Sequence, residues 1–299
     1  MRYPGSFAPG VLCVAAECWH HSSMHSWTLA LALTSVALYI TAAVVLGRRL
    51  STWRESQQEA APKLSIIAFL AVALHGALLY ALVVTGDGLS LGFFDVASLV
   101  AWVAALLLII GALRRPLDNL GLLVLPLAAL LILPSVIWPD TRPIGVERNL
   151  GTEVHVLVSV LAFALLTIAA CQSLLLAYQE RRLSHKRPGG LMHILPPLKI
   201  QEELLFQLIA LGFFLLTLSL ATGVAFVADM LAQHLAHKTV LSVIAWLIFA
   251  VLLWGRWRHG WRGRTAVRLS LTGFIVLGLA YFGSKLVLEI FLQRHWFPG

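Results

Sequence analysis

Apolar runs about twenty residues long recur along this chain, each bounded by charges or turn-forming residues, and that recurrence fixes the fold class. A helix needs ~20 predominantly apolar residues to cross a hydrocarbon core of ~30 Å, and away from water its backbone must satisfy its own hydrogen bonds. The runs are Trp27–Gly47, Leu64–Val84, Phe93–Leu113, Leu120–Trp138, Val154–Tyr178, Leu204–Val227, Thr239–Gly255 and Val267–Leu292. They predict an all-α, polytopic transmembrane helix bundle of about eight spans. Of the 299 residues, 59% are hydrophobic and 12% charged, too few charges to clothe a water-facing surface. An outer-membrane barrel would show ~10-residue segments of alternating polarity, a pattern these runs lack.

The segments between the runs set the orientation. Thr85-Gly86-Asp87-Gly88 closes the second run and Trp138-Pro139-Asp140 the fourth, both turn signals. Pro126 and Pro134 fall inside the fourth, where a membrane helix tolerates proline if neighbours satisfy the freed carbonyls. The longest polar connection, Gln179–Glu203, holds Arg181, Arg182, Lys186, Arg187 and the breakers Pro188, Gly189, Gly190, Pro196 and Pro197, and reads as a cytoplasmic loop with an interfacial piece. Sixteen Lys and Arg residues fall in the connections after runs one, three, five and seven, against five on the other side. The positive-inside rule then puts the sixteen in the cytoplasm and both termini outside.

A net charge of +8 would suggest nucleic acid in a soluble protein, but here it reads as topology signal and contact with anionic lipid. The lipid bilayer is thus a partner and nucleic acid is not. Cys13, Cys18 and Cys171 form no CxxC pair, so neither a redox nor a zinc motif is present. Residues 1–23 do not resemble a signal peptide, because the short apolar stretch Phe7–Ala16 runs into Glu17, Cys18, Trp19, His20 and His21. We expect 1–23 to be an N-terminal extension, either a mis-assigned start upstream of Met24 or a disordered outer tail, and 24–299 to form the transmembrane domain.

With no catalytic triad, P-loop or dinucleotide fingerprint, the eleven histidines are where chemistry can lie. His75 sits midway along the second run, His155 opens the fifth at its outer end, His234 and His237 precede the seventh, and His295 follows the eighth. His185, His193 and His259 fall on the cytoplasmic side. A neutral imidazole ligates haem iron axially, and two from facing helices make a six-coordinate site with apolar and aromatic walls. His155 and His75 are the candidate iron ligands, and His237 and His295 further candidates for holding the cofactor. The competing reading is structural: a lone histidine in a membrane helix hydrogen-bonds to a neighbouring carbonyl or serine. For His75 the cost of an ionisable group at mid-depth points to a cavity or a partner. His234 and His237, three apart, also present two zinc ligands on one helical face, without a nearby Cys or carboxylate.

Lys285 and Glu289 stand four apart on one face of the last run; either they pair within the bundle, or Lys285 meets an anionic group such as a haem propionate. Asp95, at the outer edge of the third run, reads as an interfacial cap. Trp254, Trp257 and Trp261, interleaved with Arg256, Arg258, Arg262 and Arg264, form a cytoplasmic girdle at headgroup level. Trp102 and Trp246 read as packing.

Several of these stretches resemble a known family. His237-Lys238-Thr239-Val240-Leu241-Ser242 through Ala245-Trp246, then Leu252-Leu253-Trp254-Gly255, Gly260-Trp261-Arg262-Gly263-Arg264 and Ala280-Tyr281-Phe282-Gly283-Ser284-Lys285, are similar to the C-terminal signature of YpjD-like inner-membrane proteins of the CcsA/HemX-type cytochrome c assembly superfamily. Gly151-Thr152-Glu153-Val154-His155 followed by Ser159 resembles the segment in which that superfamily places an outer-face histidine, and the His75 span matches as well. The resemblance runs from Met24 onward. It implies an integral inner-membrane protein that handles haem, in a superfamily whose assembly members move haem outward for attachment to apocytochrome c. Two features depart from the haem-presenting members: Asp229–His237 stands where they carry a tryptophan-rich WWD motif, and Trp254 stands near where they carry an inner histidine. His295 matches their last outer histidine only loosely.

The sequence thus reads as a non-enzymatic haem-binding or haem-delivery membrane protein acting in cytochrome c biogenesis. Its expected partners beyond lipid are haem and apocytochrome c or other assembly proteins. Two alternatives stand beside it: a HemX-like regulator of a haem-biosynthetic enzyme acting through the cytoplasmic loops, and a transporter of a small anion with Lys285 in its pathway.

Overall fold

The computed structural model describes the backbone of residues 10–56, 66–85, 88–89, 92–113, 117–138, 150–185, 195–226 and 236–283, with side chains for 26–50, 66–83, 92–113, 117–138, 150–185, 195–225 and 238–283. In chain order these form α1 (Gly10–Ser56), α2 (Ile66–Val83), β1 (Val84–Thr85), β2 (Gly88–Leu89), α3 (Phe93–Ala112), a 3-10 turn (Asp118–Leu120), α4 (Gly121–Ile137), α5 (Leu150–Ser184), α6 (Leu198–Phe226), α7 (Ala236–His259), α8 (Gly263–Gly278) and a π turn (Leu279–Gly283). Eight helices among the described residues are long and apolar enough to cross a membrane, as the runs predict. The two short strands pair antiparallel, Val84 with Leu89 and Thr85 with Gly88, where the turn after the second run was expected.

The helices pack as two groups of four. In the first, α1 to α4 enclose a core that includes Tyr39, Leu78, Leu108, Leu125 and Ile132; in the second, α5 to α8 enclose Leu166, Leu205, Ile209, Phe249 and Leu252. Contact between α3 and α5 joins them. Alanines line much of the first core, among them Ala68, Ala71, Ala101, Ala104, Ala105 and Ala128. Small side chains let membrane helices approach closely, and dispersion then replaces the hydrophobic drive that lipid cannot supply. The large apolar side chains turned outward, such as Ile66, Phe69, Phe214 and Val224, suit a surface wetted by acyl chains and not by water.

The connection between the fifth and sixth spans departs from expectation. Instead of a loop over Gln179–Glu203, α5 runs on to Ser184 and α6 opens at Leu198. A polar residue that ends an apolar run need not end the helix, because the ladder of backbone bonds continues wherever side chains find partners. Gln201 donates through Nε2 to Gln179 Oε1 at 2.6 Å and to the Pro196 carbonyl at 3.1 Å. Gln179 donates to the same carbonyl, and Gln172 donates to the Gln201 carbonyl, each at 3.1 Å. The three buried glutamines fasten α5 to α6 below the apolar layers. At 35 residues, α5 is about 52 Å long at ~1.5 Å per residue, well beyond a ~30 Å hydrocarbon core.

Other expectations hold. Asp95 caps α3 by accepting the Gly92 N–H at 3.2 Å. Trp102 donates its indole N–H to the Val72 carbonyl and Trp246 to Thr217 Oγ1, each at 2.8 Å, so both serve helix packing. Pro126 and Pro134 lie inside a continuous α4. Lys285, Glu289, His234 and His295 lie outside the described residues.

Candidate histidine sites

His155 sits in the first two turns of α5, half-buried against α6. Its Nδ1 lies 3.0 Å from the Ser219 carbonyl oxygen and 3.2 Å from Thr222 Oγ1. A carbonyl only accepts, so Nδ1 carries the proton, and in the neutral ring the lone pair is on Nε2. Thr222 is able to accept from Nδ1 because its own hydroxyl proton goes back to the Leu218 carbonyl at 2.9 Å or the Ser219 carbonyl at 3.0 Å.

Below this, Ser159 donates to the His155 carbonyl at 2.6 Å and lies 2.7 Å from Ser219 Oγ. With the Ser159 proton committed, Ser219 is the donor between the two hydroxyls. The ring is therefore held in one tautomer and one orientation by groups on the facing helix, the arrangement that metal-ligating histidines use. Its Nε2 makes no hydrogen bond among the described residues.

Deeper along the same side of α5, an aromatic cluster gathers four elements. Phe163, two turns from His155 and so ~12 Å along the axis, packs on Phe274 at 5.6 Å and Phe282 at 5.8 Å between ring centroids. Phe282 meets Phe93 at 5.1 Å and Tyr281 at 5.0 Å. Phe94, against Phe93, reaches Trp138 at 5.8 Å. The Lys238 ammonium lies 5.8 Å from the Tyr281 ring. This end of the bundle thus holds a histidine with an open nitrogen and, about two helical turns deeper, an aromatic cluster.

His75 is differently placed. It is wholly buried in α2, with Nδ1 3.2 Å from Tyr39 Oη of α1 and Nε2 2.9 Å from Ser98 Oγ of α3. Both ring nitrogens are engaged, and the Tyr39 ring stands edge-on at 5.7 Å. The three side chains tie three helices together at mid-depth, which is the structural role weighed for it above. Binding iron would require His75 to give up one of these bonds. Replacing Ser98 with alanine leaves a buried ring nitrogen unpaired and is expected to cost about 1–3 kcal/mol; a melting curve in detergent reads this, and an unchanged Tm would show the bond to contribute nothing.

His237 belongs to the backbone of α7, but its side chain lies outside the described residues, as does all of His295. Among the described residues no three His, Cys, Asp or Glu side chains gather as a metal site. The structure thus brings neither His75 to His155 through a shared partner nor a second histidine into view beside it. Sequence reasoning missed the groups that orient the two rings: Ser219 and Thr222, and Tyr39 and Ser98. The only available signal was polarity inside an apolar run, and it does not say which helix is the neighbour.

Comparison with known proteins bears on this site. The family described as Cytochrome C assembly protein matches residues 64–292, a stretch that holds His75, His155 and His237 and stops short of His295. The protein named Inner membrane protein YpjD from Escherichia coli strain K12 is 34% identical over 231 residues, which are 75% of this chain and 86% of that one. The Cytochrome c biogenesis protein CcsA of Trichodesmium erythraeum is 31% identical over 101 residues, 33% of this chain and 29% of that protein. No solved structure matches.

Proposed function

The chain belongs to the cytochrome c assembly protein family, and from that premise we propose that it is a non-enzymatic haem-handling protein of an inner membrane, acting in cytochrome c biogenesis, in which His155 would hold the iron. The observation that carries the reading is the open Nε2 of a ring whose Nδ1–H is fixed by the Ser219 carbonyl. A neutral imidazole of this kind offers one directed lone pair, which is what ferrous or ferric haem takes.

The residues present fit the group. Phe163, Phe274, Phe282 and Phe93 supply apolar surface for a porphyrin face, and haem when bound supplies the redox-active iron that the protein presents or relays. The chain's own part is to orient the ligand nitrogen, keep its tautomer, and exclude water from that end of the bundle. By the positive-inside rule the arginine-rich end faces the cytoplasm, which leaves His155 toward the outer face, where an apocytochrome c or another assembly protein would receive the haem. His237, which opens α7 on the same side, is the remaining candidate that would help hold the iron; His75 reads as a structural pin.

The test is a visible spectrum of the protein purified in detergent from haem-replete cells. Near-stoichiometric haem with a Soret band is the expected result. A protein that is folded by its melting curve and carries no haem under these conditions overturns the proposal.

A further inference from the structure

The α7–α8 turn carries the densest basic patch of the chain, and its arginines are not equivalent. Arg256 is spent internally: its guanidinium lies 4.6 Å over the Phe206 ring and donates to the Trp261 carbonyl at 3.3 Å. Arg264 is exposed but close enough to Glu180 to act on that carboxylate. Arg258, Arg262 and Arg268 are exposed and make neither hydrogen bond nor ion pair among the described residues. Beside them Trp254 and Trp257 stand 60% and 78% exposed, edge to face at 5.6 Å.

The turn that presents these groups is stiff. Gly260 and Gly263 adopt φ of +66° and +53°, a region closed to most side chains. The Trp261 N–H returns to the Gly255 carbonyl at 3.2 Å, and the Gly263 N–H is held by Glu202 Oε1 of α6 at 2.9 Å. Three unpaired guanidiniums carried near two exposed indoles combine a fork for phosphate oxygens with apolar surface for the glycerol and upper acyl region.

We propose that this turn is a binding site for the headgroup of an anionic phospholipid, held by Arg258, Arg262 and Arg268 with Trp254 and Trp257 against its acyl shoulder. The occupant is a lipid and not a soluble acidic protein, because the indoles lie where α7 leaves its apolar run and would otherwise be bare to water. Arg268 lies more than a turn inside α8 and is exposed, and its long stem would let its charged head reach the same level. The site selects among lipids by charge: zwitterionic headgroups place an ammonium among the guanidiniums, whereas phosphatidylglycerol does not.

The experiment compares Tm and lipid retention by native mass spectrometry for the detergent-purified full chain with added phosphatidylglycerol, phosphatidylcholine or inorganic phosphate. Wild type is expected to gain stability from phosphatidylglycerol only. The Arg258→Gln/Arg262→Gln/Arg268→Gln variant is expected to lose that preference, with retention weakened on the order of a hundredfold, given ~1 kcal/mol for each basic residue at an anionic surface. Arg49→Gln/Arg181→Gln/Lys199→Gln removes as much charge at the same end of the bundle and is expected to keep the preference. Equal response to both lipids, an equal effect of inorganic phosphate, or equal loss in both variants overturns the proposal, as does retention of an acidic polypeptide with no response to phosphatidylglycerol. None of these readouts depends on haem.

Discussion

His155→Ala is expected to abolish the Soret band of the purified protein while leaving its melting curve close to wild type. The ring is only half-buried, and its single anchored nitrogen bonds to a carbonyl that already accepts from Thr222 within α6. Removing it therefore strands no buried polar group, and the cost to the fold stays small. The cost to haem binding would be the whole bond from the imidazole to the iron. Variants of the groups that hold the ring should fall between: Thr222→Val and Ser159→Ala leave the imidazole in place but loosen its setting, which in metal sites weakens affinity by about 10- to 100-fold. His75→Ala should behave in the opposite sense, lowering Tm through loss of the Tyr39 and Ser98 bonds and keeping the band in whatever protein stays folded. Asp95→Ala should also keep it. A His155→Ala protein with an unaltered Soret band would remove His155 from the site and leave the helical architecture untouched.

Gly255→Ala is expected to destabilise the chain more than any other single methyl addition on α7. A Cβ at this position would overlap the six-membered ring of Trp261, and the residue that carries the ring is anchored through its backbone. Its backbone N–H is tied to Gly255 itself, its carbonyl to Arg256, and the reversal on either side of it is set by two left-handed glycines. Overpacking of a fixed contact costs about 1–3 kcal/mol, and here the displaced turn would also release Glu202 from the start of α8 and Arg256 from Phe206. The measurement is Tm in detergent for Gly255→Ala, Trp261→Ala and the double variant. Strong coupling is expected, with Trp261→Ala restoring most of what Gly255→Ala loses. Simple additivity would show that the ring moves aside without consequence.

The spans were legible because hydropathy is a local quantity and lipid imposes one length on every helix. Their ends were less so. Gln179 looked like the edge of the membrane, yet it is buried, because Gln201, a full connection away in sequence, is its partner. The same limit applies to the histidines. Mid-depth placement correctly marked His75 as a residue that needed partners, but the hydroxyls of Tyr39 and Ser98 lie one helix before and one after it, and no periodicity names a neighbour. His155 stood out as a candidate from its position and from its resemblance to a known segment; the groups that decide which nitrogen is open, on α6, were not visible until the helices were placed together. Charge counts treated the arginines of the last basic connection alike, whereas the fold consumes Arg256 and leaves others bare.

One stripe of α5, Ala164, Ile168, Cys171 and Leu175, is embedded among the side chains of the first four helices, while Ala162, Leu166, Ala169 and Leu176 on its far side are embedded among those of the last four. A helix keyed into both cores is a shared spine and not a hinge: neither group of four can swing past the other without pulling one row of knobs out of its sockets. Opposed rocking of the two groups would therefore cost the burial of one of these rows.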